Sequence, residues 1–231
     1  LDHGPRVWGA MIHPTSNMMP YPRDSCVEMS DIALLALVKV PDQREYADRL
    51  IQLGIDTYAI SLGNGDAFRA MGGYGNGRKW PILFAGILLD DDQMKSPPRK
   101  IAEPGDKLAA VDKFGEDGHT YYGKPTAAYP RGKPLWGADC ASYSQSPPFF
   151  YNHDCRDPDG IVEAENTELG ATYRLCCTSY TWVGEALAAR LMGATDIWGH
   201  DAFFDYVDRW VSEEGFAQNS SFVRNMWSTY R

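Results

Sequence analysis

The sequence predicts a mainly α protein: a toroid or partial toroid of helical hairpins, interrupted by a long irregular or β-hairpin insertion. Two observations predict it. Strongly apolar segments alternate with amphipathic ones across short turns, near 26–38 then 43–60, and near 179–192 then 201–211. Nine prolines between Pro97 and Pro158 forbid long helices in the middle of the chain. In an α/α ring, inner helices are buried on most sides and outer helices bury one face, which is the alternation seen.

The elements follow in order. Residues 1–23 read as loop, punctuated by Pro5, Pro14, Pro20 and Pro22 and carrying His3, His13, Asn17 and Arg23. Ser25 and Glu28 have capping-box spacing, so a helix is expected from Cys26 to Val38. Its residues Ile32, Leu34, Leu35, Leu37 and Val38 leave little polar face. Pro41 ends it, and Asp42 with Glu45 repeats the capping pattern ahead of a helix over 43–60. There Tyr46, Leu50, Gly54, Ile55 and Tyr58 mark one face and Arg44, Asp48, Arg49, Gln52 and Asp56 the other.

The stretch GGYGNGRKWPILFAGILLDD, residues 72–91, is the most distinctive. Gly72, Gly73, Gly75 and Gly77 permit tight backbone turns, and Arg78, Lys79 and Trp80 follow directly. Pro81 suits the first turn of a buried helix running to about residue 90. A helix start favours anions, and Arg78 and Lys79 add to that. The loop therefore reads as an anion-tolerant, aromatic-lined site, with carbohydrate as the expected ligand. The plainer reading is a glycine-rich connection with solvated cations.

Residues 93–175 should hold short strands and long loops, with local alternation at His119–Tyr122 and Leu135–Trp136. Trp182, Val183, Ala186, Leu187, Ala189, Leu191 and Met192 form another buried helix, closed by Gly193. Phe203, Phe204, Val207, Trp210 and Val211 give 201–211 one apolar side, and His200 with Asp201 reads as its start and cap. The tail from Glu213 reads as an irregular docking arm. All of it is taken as one domain, 1–231, with hairpins at 24–92 and 178–212 and the insertion at 93–177.

Composition excludes some classes. The 231 residues are 44% hydrophobic and 23% charged, ordinary globular values, with seven Trp and thirteen Tyr. Aromatic side chains fill cores and also stack on sugar rings. A net charge of −9 with no long basic run argues against nucleic acid. No apolar run reaches the ~18 residues of a membrane span, so no membrane partner is expected. The opening Leu-Asp-His lacks a basic-then-apolar leader, and the chain is read as a processed form or fragment of a secreted or periplasmic protein. The five cysteines are odd in number and lack zinc-finger spacing. Cys140 and Cys155 flank a loop-rich segment and are placed to pair. Adjacent Cys176 and Cys177 point in different directions on most backbones, and buried free thiols are expected.

The block FGEDGHTYYG, 114–123, gathers Glu116, Asp117, His119, Tyr121 and Tyr122. In a strand, His119 and Tyr121 would share one face and Thr120 and Tyr122 the other. Cleavage of a uronate polymer by β-elimination needs a cation for the developing carboxylate charge, a base for the C5 proton and an acid for the leaving oxygen. Arg78, His119 and Tyr122 supply that set, with Lys79, Trp80, Tyr74, Asn76, Glu116 and Tyr121 as substrate contacts. Hydrolysis needs two carboxyl groups instead, and among Glu116, Asp117, Asp91 and Asp139 the expected pair is Glu116 with Asp91. The His153–Cys155 and Asp157–Gly160 patch lacks EF-hand spacing, so no metal and no cofactor are expected. No Gly-x-Ser-x-Gly elbow, P-loop or dinucleotide fingerprint occurs. Asn219 begins a glycosylation sequon.

Together with 173–210, YRLCCTSYTWVGEALAARLMGATDIWGHDAFFDYVDRW, these two blocks resemble an uncharacterised bacterial helical-toroid group in the style of polysaccharide lyases and glycoside hydrolases. The resemblance covers about residues 24–212. It implies a part-toroid, a compact variant or one fragment of a larger enzyme. It also implies a carbohydrate-active enzyme, a lyase on an acidic polysaccharide before a hydrolase, with a non-catalytic carbohydrate-binding or scaffold domain as the third class.

Overall fold

The computed structural model describes residues 22–63, 68, 70, 73, 75–97, 114–137, 172–216 and 218–231. His3, His13, Asn17, Gly72, Tyr74, Asp139, Cys140, Cys155 and the 153–160 patch lie outside them. The described residues are mainly helical.

Helix α1 runs Pro22–Leu35, so it starts before the expected capping box and Ser25 lies inside it. Pro22 occupies the first position and Asp24 the first turn, where a missing N–H and a negative charge are both tolerated. Cys26, Met29, Ser30, Ala33 and Leu34 are buried, the spacing of one helix face. Val27, Ile32 and Leu35 are only partly buried, so α1 is one-faced rather than buried on most sides, and the expected Leu37 and Val38 lie beyond its end. Helix α2, Gln43–Gly63, buries a narrow stripe of Leu50, Gly54, Thr57 and Ser61. Its expected face member Ile55 is exposed. Gly54 explains the stripe: a Cβ there would sit 2.2 Å from Pro81 O, so only glycine lets α2 cross α3 this closely.

Helix α3, Lys79–Leu89, is buried from Lys79 to Gly86. Asp90 ends it in the left-handed region, φ 56°. Asp91 then caps α4, Asp92–Lys95, accepting from Gln93 N–H at 2.9 Å and Met94 N–H at 3.0 Å. Helix α5, Gly115–His119, leads into β1, Thr120–Tyr122, which pairs antiparallel with β2, Pro134–Trp136. Thr120 lies opposite Trp136, and Tyr122 opposite Pro134. The expected alternation therefore begins at Thr120, because His119 closes a helical turn.

Helix α6, Thr172–Cys177, and a 3-10 turn, Ser179–Trp182, lead to α7, Val183–Leu191. Gly193, φ 64°, closes α7 as expected, its N–H bonding Arg190 O. Short α8, Thr195–Trp198, precedes α9, Asp201–Glu214. The tail is a tenth helix, α10, Ser221–Tyr230, and not an irregular arm. Ser220 caps it through Val223 N–H, and Val223, Met226 and Trp227 bury one face. Asn219 of the sequon donates to Tyr180 O at 2.7 Å.

The most extensive helix pairings are α2 with α3 and α1 with α7. Aromatic rings fill the centre, with Trp198 stacked on Phe203 at 4.5 Å and Trp182 edge-on to Tyr206 at 5.9 Å. Cys176 and Cys177 form a disulfide, which overturns the free-thiol expectation for both, while Cys26 is free and buried. Among the described residues no helix is long and apolar enough to cross a membrane.

Candidate functional site

Two polar regions meet along residues 116–122. The inner one is buried. Lys79 at the start of α3 forms an ion pair with Asp117 and donates to Trp198 O at 2.7 Å. Trp198 Nε1–H donates to the other oxygen of Asp117 at 2.8 Å. Glu116 Oε1 accepts from Gly77 N–H at 2.5 Å and from Arg78 N–H at 3.3 Å. Gly77 is required on two counts: its φ of 72° lies in the left-handed region, and a Cβ there would sit 2.9 Å from Cys26 Cα. Glu185 of α7 joins from the far side, with Cys26 Sγ 3.9 Å from its Oε1. Glu116 Oε2, Glu185 Oε2 and the Asn76 amide have no hydrogen-bond partner among the described residues.

Burial decides the charge state here. It pushes Glu116 up to about 7, with Asp117 adding to the shift and the Gly77 N–H opposing it. Burial also holds Glu185 well above the ordinary glutamate range, reinforced by Glu116 and Asp117. The Cys26 thiol is raised by burial and then by both glutamates.

The outer region is a groove of about 540 Å³ between the β1–β2 hairpin and α8–α9, lined by Thr120, Tyr121, Tyr122, Arg131, His200 and Asp201 among others. Tyr122 OH donates to Asp205 at 2.5 Å. Burial, followed by that carboxylate, raises the Tyr122 phenol above its usual range, so it keeps its proton at neutral pH. Arg131 bonds Asp201 at 2.7 Å, lies 3.7 Å from Asp205, and stacks over the Tyr122 ring at 4.9 Å. His200 Nε2 lies 2.9 Å from Thr120 O.

The expected reaction set is not gathered in one place. Tyr122 lines the groove, whereas His119 is fully buried with its ring stacked on Trp136 at 5.1 Å. Arg78 lines a separate hollow of about 350 Å³ between α1 and α2, with Met29, Ile32, Leu53, Ile60 and Phe68. Lys79 and Trp80 are core residues, and Asn76 and Glu116 belong to the buried region. Tyr121 reaches the groove and Tyr74 lies outside the described residues. Asp91 is a helix cap and not the carboxyl beside Glu116; the acids of the buried region are Asp117 and Glu185.

Three residues escaped the sequence. His200 was legible only as a cap, yet its side chain makes no capping bond and turns to Thr120. Arg131 sat in an unremarkable loop. Glu185 carried a readable signal, the single acid of VGEALAARL, a helix apolar from Ala186 to Ala189 and charged again only at Arg190.

Among the described residues, the fold and the two regions define a mainly helical protein with one small hairpin, a buried ionic core and an open polar groove. Comparison with known family models, with curated proteins and with solved structures finds no match.

Proposed function

We propose that this is a carbohydrate-active enzyme of part-toroid architecture that cleaves an acidic polysaccharide by β-elimination in the groove between β1 and α9. The supporting observation is that Tyr122, His200 and Arg131 line one groove. They supply the acid, base and cation that Arg78 and His119 do not bring there. Arg131 neutralises the uronate carboxylate. His200 takes the C5 proton, the C4–O bond breaks, and the departing oxygen takes the Tyr122 proton. The Tyr122 hydroxyl hydrogen, held by Asp205 in the free protein, passes to the departing oxygen. Asp201 and Asp205 compete for Arg131, so a uronate enters by exchanging with a carboxylate, and its binding weakens with salt. A secreted or periplasmic setting and the likeness to bacterial toroid enzymes belong to the same proposal, as does the absence of nucleic acid and membrane partners.

Hydrolysis is the second reading, favoured by the buried pair Glu116 and Glu185, both with raised carboxyl groups. A panel of uronate polymers separates the two. Ultraviolet absorbance from an unsaturated product marks elimination, and reducing ends without that absorbance mark hydrolysis. Retention of polymer with neither signal marks a binding domain and overturns both.

A further inference from the structure

We infer that Thr120 is a positioning residue that fixes neutral His200 as the Nε2–H tautomer, leaving Nδ1 as the ring's basic nitrogen. The inference rests on reading the groove as the reaction site. His200 Nε2 lies 2.9 Å from Thr120 O and 3.1 Å from Thr120 Oγ1. A backbone carbonyl only accepts, so Nε2 carries the hydrogen. The Thr120 hydroxyl spends its own hydrogen on Glu116 O at 2.8 Å, another acceptor-only atom. Its Oγ1 therefore offers a lone pair to the same Nε2–H, and both contacts select one tautomer.

Thr120 is itself held from three directions. Its N–H bonds Asp117 O at the end of α5, it pairs with Trp136 across the hairpin, and it is fully buried. Glu116 in turn accepts from Gly77 and Arg78 N–H. The glycine-rich loop thus reaches the groove through Glu116 and Thr120, without lining it. The charged groups around His200 are Asp196 of α8, Asp201 of α9 and Arg131. None of them contacts Nε2 as Thr120 does, which leaves tautomer choice to Thr120.

The test joins nitrogen NMR of His200 with turnover of a uronate polymer, in the wild type, Thr120→Val and Thr120→Ser. The expected wild-type spectrum at high pH shows a protonated Nε2 and an unprotonated Nδ1. Thr120→Val keeps the carbonyl acceptor and loses Oγ1, so Nε2–H still dominates but the Nδ1–H fraction rises above wild type, and kcat falls by up to about ten-fold with KM unchanged, the effect of one hydrogen bond. Thr120→Ser restores both, which separates positioning from a folding defect. A wild-type Nδ1–H tautomer, or a valine variant with wild-type tautomer and kcat, overturns the inference. If no uronate polymer is turned over, the elimination reading fails, while the spectra alone still decide the role of Thr120.

Discussion

The buried cluster and the open groove share one short segment and behave in opposite ways. Glu116, Asp117 and His119 point into the protein, where Lys79, Glu185 and Trp136 meet them. Three residues later, Tyr122 faces the groove with Arg131 and His200. The switch occurs where α5 ends and β1 begins: all five residues of α5 are buried, whereas all three residues of β1 line the groove. A run of chemistry-bearing residues in sequence is therefore two sites in space, one structural and one open to ligand.

The largest effect expected is on the inner side. Lys79→Met leaves Asp117 as a buried charge without its cation, which costs about 3–5 kcal/mol, much of an ordinary domain's stability. Urea unfolding measures it, and a loss no greater than for a surface lysine would break the contrast from that side.

On the outer side, Tyr122→Phe and His200→Ala should each lower turnover about 10²–10⁴-fold, the range for losing a general acid or base. His119→Ala should instead lower the melting temperature, since its buried ring packs between Trp136 and Trp182. Steady-state rates beside thermal melts of the three variants would show whether activity and stability divide as the two regions do.

Glu116 gives a pH signature to the inner region. Its folded-state value, about 7, lies above the unfolded value, 4.5, so the native state binds more protons between them. Stability is greatest below the unfolded value and falls as pH rises through the folded one, by on the order of 3 kcal/mol. Glu116→Gln removes the titration, so unfolding free energy should become flatter between these values and higher than wild type in mild alkali. An unchanged pH slope would show that Glu116 does not titrate as its burial implies.

The smallest effect belongs to Asp201. It is more than half exposed and bonds Arg131, so Asp201→Asn should tighten uronate binding only a few-fold and make that binding more sensitive to added salt. Titration calorimetry at two salt concentrations reads it.

Much of the helical frame was legible because its signals are local. The apolar run after Pro81, the stop at Gly193 and the aromatic side of α9 each sit within one element. The site was less legible because its decisive contacts are long-range. Nothing near Lys79 in sequence reveals that Asp117 and Trp198 O will enclose its ammonium. Arg78 and Tyr122 looked like one reaction set from chemistry alone, and only the packing of α3 on α2 and of β1 on α9 sends them to different surfaces. The disulfide between Cys176 and Cys177 was hidden for the opposite reason, since adjacent cysteines ordinarily point apart. Helix α10 had a readable signal, Ser220 as a cap followed by Phe222, Val223, Met226 and Trp227 at helical spacing, but the pattern spans only ten residues.

The central claim is that ligand meets the outer region and leaves the inner one untouched. An NMR titration of the labelled protein with a uronate oligosaccharide tests it most directly. Shifts confined to Tyr121, Tyr122, Arg131 and His200, with the buried indole N–H of Trp80 and Trp198 unmoved, are the result predicted. Shifts centred on Asn76, Arg78, Trp80 and Glu116, with the groove silent, would contradict it and return the site to the glycine-rich loop.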